Sequence, residues 1–287
     1  MDVFDDHTGL PDLEGLVNRI VLFQHHQPVF LEYKSRMSLK FIWEGKVDYV
    51  CGNTKMTLKS NEILLIDDNT EVNSIISEPT QGVSIFLPYL NRAYFDPRLI
   101  NRPIPLVDSP LHHKLFQFVG MNPKKRVSDI DYVRNLIVSL VLYNRLLHQY
   151  YERLIYNREN TKLNIFPKLL KAKEIIERDY KTHISIDSLA GPLGISKFLF
   201  IRKFREAFGV TPVHFLIDRR IGHAKRLLAE SDLLISDIAD LTGFESLAHF
   251  SKLFKKSEGC SPMFYREHFP AIVFQNFEFS SFSPPIY

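Results

Sequence analysis

Between residues 17 and 87 the apolar positions fall in short runs, at 17–23, 29–33, 39–43, 47–51, 55–58, 63–66, 72–76 and 83–87. Turn formers separate them: Glu44-Gly45, Gly52-Asn53, Ser60-Asn61 and Asp67-Asp68-Asn69. Many short strands at near-regular spacing predict an antiparallel barrel or jelly roll. Residues 88–110 hold five prolines and read as an irregular crossing. A short helix is expected over 111–120 and a longer one over 129–156. In the longer one Val133, Leu136, Ile137, Leu140, Val141, Leu147, Tyr151 and Leu154 keep the spacing of one helical face. Residues 157–164 are polar without an apolar period and read as a linker. Pro167 then suits the first turn of a new helix, and the chain reads helical to His268.

Within that helical region a single pattern occurs twice, fifty residues apart. Ser196, Phe200, Arg202, Phe204, Arg205, Gly209, Pro212 and Phe215 are echoed by Ser246, Phe250, Lys252, Phe254, Lys255, Gly259, Pro262 and Tyr265. Each copy has a serine start, two aromatics four apart, basic residues off that stripe and a glycine stop. Such a helix buries its aromatic face and presents cations outward. A short helix and a tight turn precede each copy, at Gly194-Ile195 and Gly243-Phe244, and small Ala190 and Ala239 sit where paired helices would cross. Two helix–turn–helix units on a fixed spacer point to double-stranded DNA as partner. The residues expected on the DNA side are Ser196, Phe198, Ile201, Arg202 and Arg205 in the first copy. In the second they are Ser246, Leu247, Ala248, His249, Ser251, Lys252, Lys255 and Lys256. Arg202 and Lys252 are expected to matter most, whereas Arg205, Lys255 and Lys256 suit phosphates.

Composition adds limits. The net charge is +3. Residues 1–163 hold 19 Lys/Arg and 19 Asp/Glu, and 164–287 hold 17 and 14, so the excess lies in the C-terminal region. No run approaches the roughly 18 apolar residues of a membrane span. The acidic start Met1-Asp2-Val3-Phe4-Asp5-Asp6 lacks the order of a secretory signal. Two distant cysteines, Cys51 and Cys260, fit a reducing compartment, so a cytoplasmic location is expected.

The motifs Gly209-Val-Thr-Pro212, Arg220-Ile-Gly-His-Ala224-Lys-Arg-Leu-Leu228, Ile238-Ala239-Asp-Leu-Thr-Gly243-Phe244, His249-Phe250-Ser-Lys-Leu-Phe254-Lys255-Lys256, Gly259-Cys-Ser-Pro262 and Tyr265-Arg266 resemble the AraC/XylS family of bacterial transcription regulators. The resemblance covers about residues 165–268. It implies a seven-helix domain with two helix–turn–helix units joined by a rigid helix from about Thr211 to Ala229, entering successive major grooves. It also implies that Arg220 braces the connecting helix or touches phosphate. Two positions depart from the family pattern: Gly191-Pro192 would distort the helix before the first turn, and Leu247-Ala248 replace commonly polar positions.

The overall expectation is a two-domain α+β chain. An N-terminal antiparallel, cupin-like β-barrel with helices (1–156) serves sensing and dimerisation, and a linker (157–164) follows. An all-α double helix–turn–helix domain (165–268) and an aromatic tail (269–287) complete it. Alternate residues Phe41, Trp43, Tyr49, Cys51, Leu64 and Ile66 would line the barrel interior, as core or as a pocket for a small-molecule effector. Lys34, Arg36 and Lys40 lie nearby in sequence. The histidine cluster of metal cupins is absent, and neither His25-His26 nor His112-His113 chelates well alone. No catalytic group, metal or cofactor is expected. The 129–156 helix is expected to pair two subunits, with packing on its own barrel as the alternative, and RNA polymerase is a further expected partner. Two readings compete: a cupin-type enzyme acting on a metal or small molecule with a targeting domain, and a protein–protein adaptor.

Overall fold

The computed structural model describes residues 19–87, 92, 95–106, 109–120, 130–156 and 158–268. The expected aromatic tail lies outside the described residues. The chain divides into two compact units, residues 1–152 with 158–170, and residues 153–157 with 171–287.

In the first unit each apolar run is a strand: β1 Arg19–His25, β2 Val29–Lys34, β3 Ser38–Glu44, β4 Lys46–Cys51, β5 Thr54–Lys59, β6 Glu62–Ile66, β7 Glu71–Ile76 and β8 Thr80–Phe86. A three-residue strand, β9 Pro103–Pro105, was hidden in the proline-rich crossing. The strands form two antiparallel sheets, ordered β1-β8-β3-β6-β9 and β2-β7-β4-β5, rather than a closed barrel. Their facing sides bury Ile42, Val47, Tyr49, Cys51, Leu58, Leu64, Ile66, Val72 and Ile76. Successive strand residues point to opposite faces, which corrects part of the expected pocket lining. Tyr49, Leu64 and Ile66 do face the space between the sheets. Phe41 and Trp43 share the other face: the Phe41 ring meets Phe116 edge-on at 5.4 Å, and Trp43 Nε1 donates to Gln81.

Helices follow: α1 Pro110–Gly120 and α2 Ile130–Arg153. On α2 the expected face is buried, with Val133, Leu136, Leu140, Leu147 and Tyr151 all below a tenth exposed. Tyr143 Oη donates to the Pro105 carbonyl at 2.8 Å, and Asn144 Oδ1 accepts the Asp96 N–H at 2.8 Å. Beside that contact Arg98 gathers Asp96, Glu152 and Glu159, and Asp96 also holds His148 Nδ1 at 2.8 Å.

The expected linker is not one. Helix α3 runs Glu159–Asp179 with Pro167 inside it rather than in its first turn. Apolar periodicity missed its start because charge and aromatic contacts hold that turn. Tyr151 Oη donates to Glu159 at 2.6 Å, and Lys162 Nζ lies 4.4 Å from the centre of the Tyr151 ring.

Burial pushes the Asp96 carboxyl up, but the hydrogen bonds from Arg98 and His148 outweigh it and hold its pKa down at about 2. A carboxyl depressed in the folded state contributes stability that is complete above its unfolded pKa of about 3.9 and is lost as pH falls through the folded value. Chemical denaturation of the full chain should therefore show stability falling between about pH 4 and pH 2. Asp96→Asn should flatten that fall; an unchanged acid limb in the variant would remove Asp96 from the explanation.

Candidate nucleic-acid interface

The second unit carries the repeat. Its first copy begins with α4 Ile186–Ala190, capped by Ser185, and a 3₁₀ turn at Gly191–Leu193. Gly191-Pro192 therefore ends the α-helix early, and Pro192 starts the tighter turn, where its missing N–H costs little. Helix α5 spans Lys197–Phe208, with the Ser196 hydroxyl accepting the Leu199 N–H and Gly209 closing it in the left-handed region at φ 82°. The second copy has α7 Ile235–Leu241 and then α8 Leu247–Glu258, with Ser246 accepting from His249 N–H and Gly259 at φ 77°. Between the copies α6 runs Pro212–Glu230 from a Thr211 cap, and α9 Pro262–His268 ends the described chain. Both aromatic stripes are fully buried: Phe200, Phe204, Phe250 and Phe254 are all 0 % exposed. Their rings meet at 5.6 Å in α5 and 5.5 Å in α8, both edge-on. Small Ala190 and Ala239 are buried as the helix crossings require.

The residues expected to face DNA sort into three groups. Phe198, Arg202 and Arg205 on α5 and Leu247, Ala248, His249, Lys252, Lys255 and Lys256 on α8 are exposed. Ile201 and Ser251 are half-buried. Ser196 and Ser246 are exposed, but their hydroxyls serve as helix caps. Phe198 is 84 % exposed, far beyond what folding requires of a large apolar ring, and it borders an open groove of about 500 Å³ with Ile201, Arg202, Arg205, Glu206 and Thr211. On α8 the His249 ring stands edge-on to Phe244 at 6.1 Å, which limits its freedom.

Helix α6 holds the two copies together through side chains of its own. Arg220 donates from Nε to the Tyr180 carbonyl and from Nη2 to the Thr182 carbonyl, both at 2.8 Å. Its guanidinium also lies 5.7 Å from the centre of the Phe244 ring in the turn before α8. This assigns Arg220 the bracing role. Arg219 pairs with Glu177, and Lys225 with Glu258 at the end of α8 at 2.6 Å. Gly243 has φ 84°, and a Cβ there would stand 2.6 Å from the Lys181 carbonyl oxygen, so only glycine fits.

One cation on α5 behaves unlike the rest. Lys203 is 4 % exposed, and its ammonium donates to the Ile155 carbonyl at 2.5 Å and to Glu206 at 2.6 Å. Glu206 in turn accepts the Ile155 N–H at 3.2 Å, and the ammonium sits 4.1 Å from the centre of the Tyr156 ring. Sequence pattern does not distinguish Lys203 from the other basic residues of its helix. Fifty residues on, the equivalent position is Leu253, and that mismatch within the repeat was the available signal.

Among the described residues no group of three His, Cys, Asp or Glu side chains could hold a metal, and no helix is long and apolar enough to cross a membrane.

Residues 189–268 match the family described as "Helix-turn-helix domain". These residues therefore form a helix–turn–helix domain. Curated relatives of the chain include the lactose operon transcription activator of Staphylococcus xylosus, 29% identical over an alignment of 136 residues that covers 43% of this chain and 47% of that protein. An uncharacterized HTH-type transcriptional regulator, YdiP, of Escherichia coli K12 is 28% identical over 111 residues, 39% of this chain and 37% of that protein. The chain thus spans less than half the length of these relatives. Among solved structures, the DNA-binding domain of AdpA in complex with a target DNA is 29% identical, covering 35% of this chain and 90% of that one, with a TM-score of 0.34.

The helix–turn–helix domain should be sensitive at its internal junctions. Gly243→Ala forces a left-handed conformation and a backbone clash, and should cost about 1–3 kcal/mol or more in urea unfolding. Lys203→Met removes the nearest cation of the half-buried Glu206 and the ammonium donor of the Ile155 carbonyl, and should cost about 1–3 kcal/mol. It should also speed amide exchange at Ile155; unchanged exchange there would show that Lys203 does not hold the segment.

Proposed function

We propose that this protein is a sequence-specific DNA-binding transcription regulator that responds to a small-molecule effector. The observation that carries the reading is the pair of capped helices, α5 and α8, each burying two phenylalanines and exposing cations, on one braced connector. Helices so arranged suit successive major grooves on one DNA face, about 34 Å apart. Arg202 and Lys252 then reach base edges, guanine O6 and N7 being their usual acceptors. Phe198, Leu247 and Ala248 suit thymine methyl groups. Arg205, Lys255 and Lys256, nearer the helix ends, serve phosphates and set position without reading sequence. The two-sheet unit supplies the effector site, and a ligand there acts by favouring arrangements in which both helices engage. Helix α2 supplies a second-copy contact through Val138 and Leu142, which lie four apart and are 54% and 56% exposed. RNA polymerase is the downstream partner in this reading.

A mobility-shift titration with the promoter fragment beside the protein's own gene tests the core of it. Binding should weaken steeply with salt, and Arg202→Ala should cost the specific site about 1–3 kcal/mol while sparing random DNA. Lys255→Ala should weaken all DNA alike and lower the salt slope by about one. Indifference to salt and to both Arg202→Ala and Lys252→Ala would overturn the reading. For the second-copy contact, Leu142→Glu should shift sedimentation toward the monomer; a monomeric wild type sinks that element alone.

A further inference from the structure

Lys40 is 1 % exposed, in the middle of β3, and its alternation with Ser38 and Ile42 directs it between the two sheets. Its ammonium lies 4.4 Å from the centre of the Phe86 ring and 5.4 Å from that of Tyr33. Among the described residues it has no ion-pair or hydrogen-bond partner. The groups that face it from the surrounding strands are Tyr33 on β2, Tyr49 and Cys51 on β4, Leu64 on β6 and Ser84 on β8, the last two directly across from it in register. None of these carries a negative charge at neutral pH: burial pushes the Tyr33 and Tyr49 hydroxyls and the Cys51 thiol up from their usual values.

The magnitudes do not balance without something more. A buried ammonium loses more in hydration than a cation–π contact, even a desolvated one, returns. Consistent with the shortfall, burial pulls the Lys40 pKa down to about 7. The cover over Lys40 thins on one side. Strand β2 is an edge of its sheet, and inward-facing Leu31 is 45% exposed while Tyr33, against Lys40, is only half-buried.

We propose that Lys40 is the anchoring cation of a site between the sheets for a carboxylate-bearing small molecule, entering beside Tyr33 and laying its apolar body against Phe86 and the aliphatic core. A carboxylate fits better than a phosphate dianion, because one cation in apolar surroundings neutralises one charge. Ser84, buried and adjacent on β8, adds a hydroxyl donor to the second oxygen. The site rests on the effector reading above and names the class of molecule that reading lacks.

The test follows the Lys40 side chain in full-length protein carrying ¹³C-labelled lysine, its resonance assigned by its loss in Lys40→Met or Lys40→Arg. Sodium formate, the smallest carboxylate probe, is titrated through the millimolar range, with formamide and sodium chloride of matched ionic strength as controls. The Lys40 signal should saturate with formate alone and its titration midpoint should rise by about one pH unit or more. Above about pH 7 the formate dissociation constant should rise about tenfold per pH unit, as uptake of one proton on binding requires. No response to formate, or an equal response to chloride, overturns the site. The DNA titration is run on the same samples. A protein that ignores DNA while Lys40 answers formate loses the regulator reading and keeps the site; the converse removes the site alone.

Discussion

The second unit depends on a guanidinium that satisfies two carbonyls. The last carbonyls of a helix have no partner within it, and the segment leaving α3 exposes such groups at Tyr180 and Thr182. Arg220 binds both from the middle of α6. An arginine does this because its donors form a fixed planar fork, whereas a lysine is a single mobile point charge. Burial lowers its pKa, yet a guanidinium stays charged under any physiological condition. The brace is therefore constant. It sets α6, and through Lys225 and Glu258 the end of α8, against the helix leading into the first copy. Gly243 closes the same junction by letting its backbone touch that of Lys181. Helices α5 and α8 hold a fixed spacing on one connector only if the halves cannot rotate about it, and these contacts oppose that rotation.

Once the spacing is held, the copies are free to differ elsewhere, and they differ most at one buried position. Leu253 in the second copy packs against its core in the ordinary apolar way. Lys203 in the first copy binds the Ile155 backbone and Glu206 instead. A buried ion pair is seldom more stable than a well-packed hydrophobe of similar volume, so stability does not explain the lysine. What it adds is position: it ties Ile155 and Tyr156 to the back of α5, on the helix that presents Arg202. Glu206 also approaches Arg202 at 4.0 Å, so the same carboxylate touches the clamp and the outward-facing cation.

These differences show what a sequence displays and what it hides. The eight strands were legible because each apolar run is short and ends in a residue suited to a turn. The paired helices were legible twice over, once from the phenylalanine spacing and again from the repeat. Three features escape the apolar pattern, each for its own reason. The first turn of α3 has no apolar stripe, because Glu159 and Lys162 hold it through Tyr151. Strand β9 lies among prolines that usually disfavour sheets, yet it sits at a sheet edge, where they are tolerated. Phe41 and Trp43 were placed on the wrong face because both sides of β3 are covered, and burial on both sides erases the alternation that tells them apart.

Lys40 and Lys203 make that limit concrete. Both are lysines within regular elements, both are almost wholly buried, and nothing in local sequence marks either as such. Lys203 has a carboxylate and a carbonyl, so its charge is satisfied by the chain and its work is to hold a segment in place. Among the described residues Lys40 has two aromatic rings and no carboxylate or carbonyl partner, so its charge is tolerated rather than satisfied. A buried cation whose partners come from its own fold acts as structure. One whose fold supplies aromatic faces but no anion leaves the last interaction to another molecule, and its energy then depends on whether that molecule is present. That dependence is what a sensing unit requires, since a ligand can shift an equilibrium only by what it binds differently in the two states.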